Sequence, residues 1–142
     1  MSGAEDNGKL LHRFFDEVLN RRDLAAAKQL VAPSFADHDA MPGQRGGLDG
    51  LLATVDSWHE ALPDHRYEAL LVIPEESKVA ARWRMTGTNT GSLFGQQPTG
   101  NPVEVTGVDV LSIRDGRVEE RWSKWERHLM FQQLGITPPG GG

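Results

Sequence analysis

The sequence predicts an α+β fold, and three observations predict it. Apolar residues recur at helical spacing as far as Pro63. Beyond Pro63 they alternate at strand spacing. An Arg114-Asp115-Gly116-Arg117 stretch between two alternating runs carries a tight hairpin signal. Helices followed by a meander of long strands give three N-terminal helices packed on a curved antiparallel sheet. Such a sheet closes at one end and opens at the other, and a pocket forms in its mouth.

The elements follow in order. Leu10, Leu11, Phe14, Phe15, Val18 and Leu19 predict an amphipathic helix over residues 8–20, ended by Asn20. Asp23 caps a second, short helix carrying Leu24, Ala27, Leu30 and Val31, and Pro33 stops it. Leu48, Leu51, Leu52, Val55, Trp58 and Leu62 predict a third helix, closed by Pro63. Residues 67–73 read as a strand. Residues 78–90 read as a longer one, with Val79, Ala81, Trp83 and Met85 on one face. Residues 104–113 alternate, with Val108, Val110 and Ser112 sharing a face and Asp109 pointing away from them toward a subunit contact. Residues 118–126 form the return strand. The Gly/Pro/Gln-rich stretch 91–102 connects two long strands, and Leu129, Met130, Phe131 and Leu134 pack as one or two turns before Gly135.

Composition narrows the function. The 142 residues suit a single domain over 1–142 with an ordered core from about residue 8 to 137, and the Pro/Gly tail is expected to fray. The net charge of −5 provides no basic footprint for nucleic acid. Cysteine is absent, which excludes disulfides and thiolate ligands and suits a cytoplasmic location. No apolar run approaches the roughly 20 residues that span a bilayer, and residues 1–6 lack the pattern of a secretory signal. Neither a dinucleotide fingerprint nor a metal-ligand spacing is recognised, so no cofactor and no metal are expected.

Two features carry chemistry. His38 and Asp39 open a loop that continues through Met41-Pro42-Gly43-Gln44. Glu126 ends the last predicted strand, close after Trp122 and Trp125. One carboxyl group beside an apolar wall serves as both base and acid for proton transfer, removing a proton beside a carbonyl and returning it to oxygen. An imidazole in the same cavity polarises the carbonyl. The plainer readings are a solvated Glu126 paired with Arg127 or Lys124, a His38–Asp39 pair that braces its loop, and tryptophans that are simply core. Arg82 and Arg84 are expected on the outer sheet face.

The motifs Phe14-Phe15…Val18…Asn20…Asp23-Leu24, Phe35-x-x-His38-Asp39, Arg82-Trp83-x-x-x-Gly87-Thr88-x-Thr90-Gly91 and Asp115-Gly116-Arg117-Val118-x-Glu120-x-Trp122 stand in this order. Together they resemble the SnoaL-like polyketide cyclases of the NTF2-like superfamily, over residues 10–137. The resemblance implies an NTF2-like α+β cone, a homodimer or homotetramer, and cofactor-free closure of an aromatic or polycyclic ester. It implies Glu126 at the position of the catalytic aspartate and His38 at that of the family histidine. Val110 and Ser112 match strand positions that are polar in the cyclases, and Asn89 replaces a histidine. The expected site therefore comprises catalytic Glu126 and His38, with Trp58, Trp83, Met85, Val110, Ser112 and Trp122 around the substrate. A hydroxylase or isomerase of the same family, and a non-catalytic binder of an apolar small molecule, stand as alternatives.

Overall fold

A computed structural model describes residues 3–40, 45–93 and 95–136. The Met41–Gln44 part of the loop, Phe94 and the tail from residue 137 lie outside the described residues. Helix α1 (Gly3–Arg13) has Glu5 and Asp6 in its first turn, where they complement the helix dipole. It continues as a π-helix over Phe14–Asn20. Apolar pairs repeat every four residues at 10–11, 14–15 and 18–19, a period slightly longer than an α-turn. Wider winding keeps all six on the buried side. Helix α2 (Leu24–Leu30) starts as expected, the Asp23 carboxylate accepting from the Ala26 N–H at 3.1 Å.

The chain then departs from the expectation of a loop after Pro33. Residues Val31–Asp37 form a strand, β1, before helix α3 (Gly47–Ala61). Strands β2 (Arg66–Pro74), β3 (Lys78–Thr88), β4 (Pro102–Arg114) and β5 (Arg117–Trp125) make an antiparallel meander. β1 adds to its edge, parallel to β5, giving the order β1-β5-β4-β3-β2. The sheet is therefore mixed, with a strand interleaved between helices. Pro33 is tolerated because β1 is an edge strand and its pairing skips irregularly from Val31 to Ala36. The β4–β5 turn is the expected Asp-Gly hairpin, with positive φ at Asp115 (53°) and Gly116 (73°). A fourth helix, α4 (Arg127–Leu134), follows the sheet, buries Met130, Phe131 and Leu134 and ends at left-handed Gly135.

One sheet face is covered by the helices. It carries Val79, Ala81, Trp83 and Met85 from β3, and Val103, Val105, Gly107, Asp109 and Leu111 from β4, all buried. From β5 it carries Val118, Arg121 and Ser123, also buried, and the half-buried Trp125. A bulge after Ser112 leaves Glu119 without a partner and resets which β5 residues face inward. The opposite face carries Val108, Val110, Ser112 and Trp122, with Arg82 and Arg84 as expected; Arg84 pairs with Glu68 at 2.5 Å. No helix among the described residues is long and apolar enough to cross a membrane.

Gly107 is required where it stands. A Cβ there would lie 2.4 Å from Trp83 Cζ2 and 2.6 Å from Trp125 Cβ. Gly107→Ala is expected to destabilise the protein by about 1–3 kcal/mol through overpacking. The chemical-denaturation midpoint should fall, with loss of near-ultraviolet tryptophan ellipticity. An unchanged midpoint would contradict this packing.

Candidate active site on the inner sheet face

The absent side chain of Gly107 lets the Trp83 indole lie across β4. Its Nε1–H donates to Asp109 Oδ1 at 2.9 Å. The other carboxylate oxygen, Asp109 Oδ2, accepts from Arg121 Nε at 2.9 Å and Nη2 at 2.8 Å. Asp109 is fully buried and the Arg121 side chain nearly so. An isolated buried charge costs several kcal/mol, so this carboxylate requires both donors. Asp109 does point away from Val108 and Val110, but not toward a subunit contact. That direction is the helix-covered face, and both its oxygens are engaged within the chain.

Around this pair is a small cavity of about 50 Å3, partly open to solvent. Trp58, Tyr67, Trp83, Met85 and Trp125 form its apolar side. Trp58 meets Trp125 edge-on with centroids 6.0 Å apart, and Tyr67 meets Trp83 at 5.1 Å. Asp37, Asp39, Thr54, Arg121 and Ser123 form its polar side. Asp37 is the last residue of β1 and sits beside Arg121 in the register. Its Oδ1 accepts from the Asp39 N–H at 3.0 Å. Asp39 is tied down separately: Lys124 Nζ donates to it at 2.5 Å and the Ser123 N–H at 2.8 Å. The Lys124 hydrogen bond first, and the Ser123 bond next, hold the Asp39 carboxyl below the usual carboxylate range. Among the described residues, Asp37 is thus the cavity carboxylate without an ion-pair partner.

Burial opposes the charge of Arg121, but the Asp109 and Asp37 carboxylates, the Tyr67 phenol and the Asp109 hydrogen bond together outweigh it, and its pKa is raised. It is a permanent cation on the cavity wall. Burial pushes the Tyr67 hydroxyl up to about 12, so it remains a proton donor near neutrality.

The expected site residues divide between environments. Trp58, Trp83 and Met85 come together on the cavity. Val110, Ser112 and Trp122 do not: β4 and β5 parity puts them on the opposite sheet face. His38 joins that outer group. Its Nε2 lies 2.8 Å from Glu120 Oε2, and its ring stacks on Trp122 with centroids 4.7 Å apart. Ser112 Oγ donates to the other Glu120 oxygen at 3.0 Å. The His38 bond first, and Ser112 second, lower the Glu120 pKa. Glu126 is exposed, and its Oε1 accepts from Thr106 N and Oγ1 at 2.7 and 2.9 Å. Glu120 and Glu126 are six residues apart, about 20 Å along an extended strand. Among the described residues, His38 and Glu126 therefore belong to separate clusters, one bonded to Glu120 and the other to Thr106. Sequence reasoning missed Asp37 and Arg121. The available signal was odd-number parity: Val103, Val105, Gly107, Asp109 and Leu111 form one face as consistently as Val108 and Val110 form the other.

A profile of the SnoaL-like polyketide cyclase family matches residues 9–134. The chain belongs to the SnoaL-like polyketide cyclase family. IdmH of Streptomyces antibioticus, a proposed polyketide cyclase, is 28% identical; the alignment covers 90% of this chain and 97% of IdmH, with a TM-score of 0.76. AclR of Streptomyces galilaeus, a proposed hydroxylase, is 26% identical over 95% of this chain and 88% of its own, with a TM-score of 0.78. TsrD of Streptomyces laurentii, at 21% identity, covers 94% of this chain and 97% of its own with a TM-score of 0.82, a likeness of fold. No curated protein sequence matches. Within the family frame, the inner cavity is where an acid, a cation and aromatic walls meet.

Trp83→Phe keeps most of the ring and removes the N–H that serves Asp109. The expected cost is about 1–3 kcal/mol for a buried acceptor left short of a donor. Calorimetry should show a melting temperature several degrees lower. An equal melting temperature would mean that Asp109 does not depend on the indole.

Proposed function

We propose that the protein is a cofactor-independent cyclase that closes a ring by aldol addition, with Asp37 as acid and base. One observation carries the reading: a carboxylate without an ion-pair partner stands beside a buried guanidinium on an aromatic-walled cavity. Asp37 takes a proton from the carbon beside a carbonyl. Arg121 and the Tyr67 hydroxyl hold the enolate oxygen, in the manner of an oxyanion hole. The enolate carbon attacks a second carbonyl of the same molecule, forming the carbon–carbon bond. The resulting alkoxide recovers the proton from the Asp37 carboxylic acid, so none is gained or lost. Glu126 and His38, proposed for these roles on sequence alone, are better read as a strand-end clamp and as part of the outer-face cluster. The substrate is an aromatic or polycyclic polyketide ester, and the location is cytoplasmic.

The likeness to AclR favours hydroxylation as a second reading, in which an electron-rich ring at the cavity mouth takes one atom of dioxygen while the other leaves as water with two electrons from a soluble reductant. Dioxygen consumption during turnover separates the two.

Asp37→Asn preserves shape and removes the proton-transfer group. Turnover should fall about a hundred- to ten-thousand-fold with binding largely retained. Glu126→Gln should stay within about threefold of the wild-type rate, because general acid–base catalysis is not lost there. The opposite ranking in steady-state assays would return the chemistry to Glu126.

The working unit is proposed to be a homodimer formed through the outer sheet face, or a homotetramer built from such dimers. Ile73, Ala80, Val110 and Trp122 lie in one cross-strand row of that face, and Leu71, Arg82, Val108 and Lys124 in the next. Ile73 and Leu71 are 57% and 55% exposed. An apolar row flanked by both charges suits a second copy of itself. Sedimentation equilibrium should give a multiple of the 15.7 kDa chain mass. Val108→Asp should shift the population to monomer; a wild-type monomer would refute the contact.

A further inference from the structure

We infer that the cavity admits only a small, uncharged, enolisable carbonyl head, and that the rest of the substrate stays outside it. The inference rests on the cyclase reading and narrows the substrate class. Two independent observations point to it.

The first is size. A single benzene ring is held by an apolar protein cavity of about 150 Å3. This cavity is about 50 Å3. A carbonyl with its α-carbon and one small substituent is the scale of group it encloses. A fused ring system is not. The walls that limit it are indoles packed against one another: Trp58 on Trp125 and Trp125 on Trp83, with centroids 6.0 and 6.5 Å apart. Met85 lines the same space.

The second is charge. Arg121 is the cation on the wall, but Asp109 already neutralises it from behind through a two-nitrogen contact to one oxygen. Lys124 neutralises Asp39. Asp37 is left, so the polar side of the cavity is negative in sum. A free carboxylate on the substrate would meet that charge in a poorly solvated space, where like charges repel strongly. A neutral ketone or ester accepts from Arg121 and Tyr67 without that opposition. Its enolate, formed only after Asp37 has taken the proton, carries the negative charge that Asp37 has just lost. The cavity's total charge is therefore the same before and after proton transfer.

The test uses the intact protein and indole ¹⁵N–¹H spectra. Trp58, Trp83 and Trp125 line the cavity, whereas Trp122 stacks on His38 on the far face and serves as an internal control. Methyl acetoacetate is the neutral probe and acetoacetate its anionic counterpart on the same skeleton. Methyl pivaloylacetate replaces the ketone's methyl by a tert-butyl group. Methyl acetoacetate should shift the three inner indoles saturably and leave Trp122 in place. Acetoacetate should bind about tenfold or more weakly, the expected scale for one uncompensated like charge. Asp37→Asn should remove most of that difference, because it removes the opposing charge. Methyl pivaloylacetate should leave the inner indoles unmoved, and Met85→Ala should let it in. Acetoacetate binding as tightly as its ester would overturn the inference on charge. Methyl pivaloylacetate binding as well as methyl acetoacetate to the wild type would overturn it on size. Silence of the inner indoles toward every probe would overturn both parts. None of these results alters the turnover comparison of Asp37→Asn with Glu126→Gln, so failure of the substrate class remains distinguishable from failure of the cyclase mechanism.

Discussion

The buried contact of Asp109 with Arg121 and Trp83 is the constraint on which the rest of the inner face depends. Removing two charges from water is unfavourable unless their geometry and remaining hydrogen bonds are good. Here the geometry is obtained by leaving out a side chain. Gly107 opens the space through which the Trp83 indole reaches Asp109, and Trp125 closes over the same gap from β5. Three strands are thereby held in one register by one polar cluster. The cost of any slip is high, because a shift of one residue would move Asp109 to the outer face and leave Arg121 buried without its counter-ion.

That cluster also prepares the cavity electrostatically. Arg121 is fixed by the residue behind it and presents its charge to the space in front. Asp37 reaches the same space only because β1 adds to the sheet parallel to β5, ending beside Arg121. The helices complete the enclosure. Trp58 comes from α3, and Asn20, at the end of the π-helix, exchanges hydrogen bonds with the Tyr67 backbone at 2.7 and 2.9 Å. The wide winding of that segment thus has a consequence at the site: it delivers both a buried apolar face and the residue that fixes the start of β2.

Much of this was legible in the sequence. The helix caps, the Asp-Gly hairpin and the inward face of β3 follow from local rules that tertiary packing did not override. β1 was not legible, because Pro33 reads as a stop and pairing with β5 is a contact across more than eighty residues. The faces of β4 and β5 misled for a different reason. Val108 and Val110 look like core, and Asp109 between them looks like a subunit-contact residue, yet the outer face carries apolar side chains of its own and the inner face holds an ion pair. Hydrophobic alternation cannot choose between two faces that are both mixed. On β5 the bulge at Glu119 adds a further inversion, so counting from the hairpin gives the wrong parity for Trp122.

The same inversion explains why spacing alone selected Glu126. A carboxylate a few residues beyond an aromatic resembles a shielded acid when the strand is read as a line. In three dimensions Trp122 and Trp125, three positions apart, look in opposite directions. Glu126 lies beyond the end of β5, where its backbone N–H and its carboxylate both engage Thr106 of β4. It is a residue that turns the chain from sheet into α4. The residues of the proposed site are instead distributed over β1, β2, β3, β5 and α3, and the stretch that holds Asp37 is far in sequence from the one that holds Arg121. A family motif on β5 can therefore mark the strand correctly and still not name the acid. The acid proposed above, Asp37, reaches the cavity beside the buried cation from the strand that pairs with β5 rather than from β5 itself.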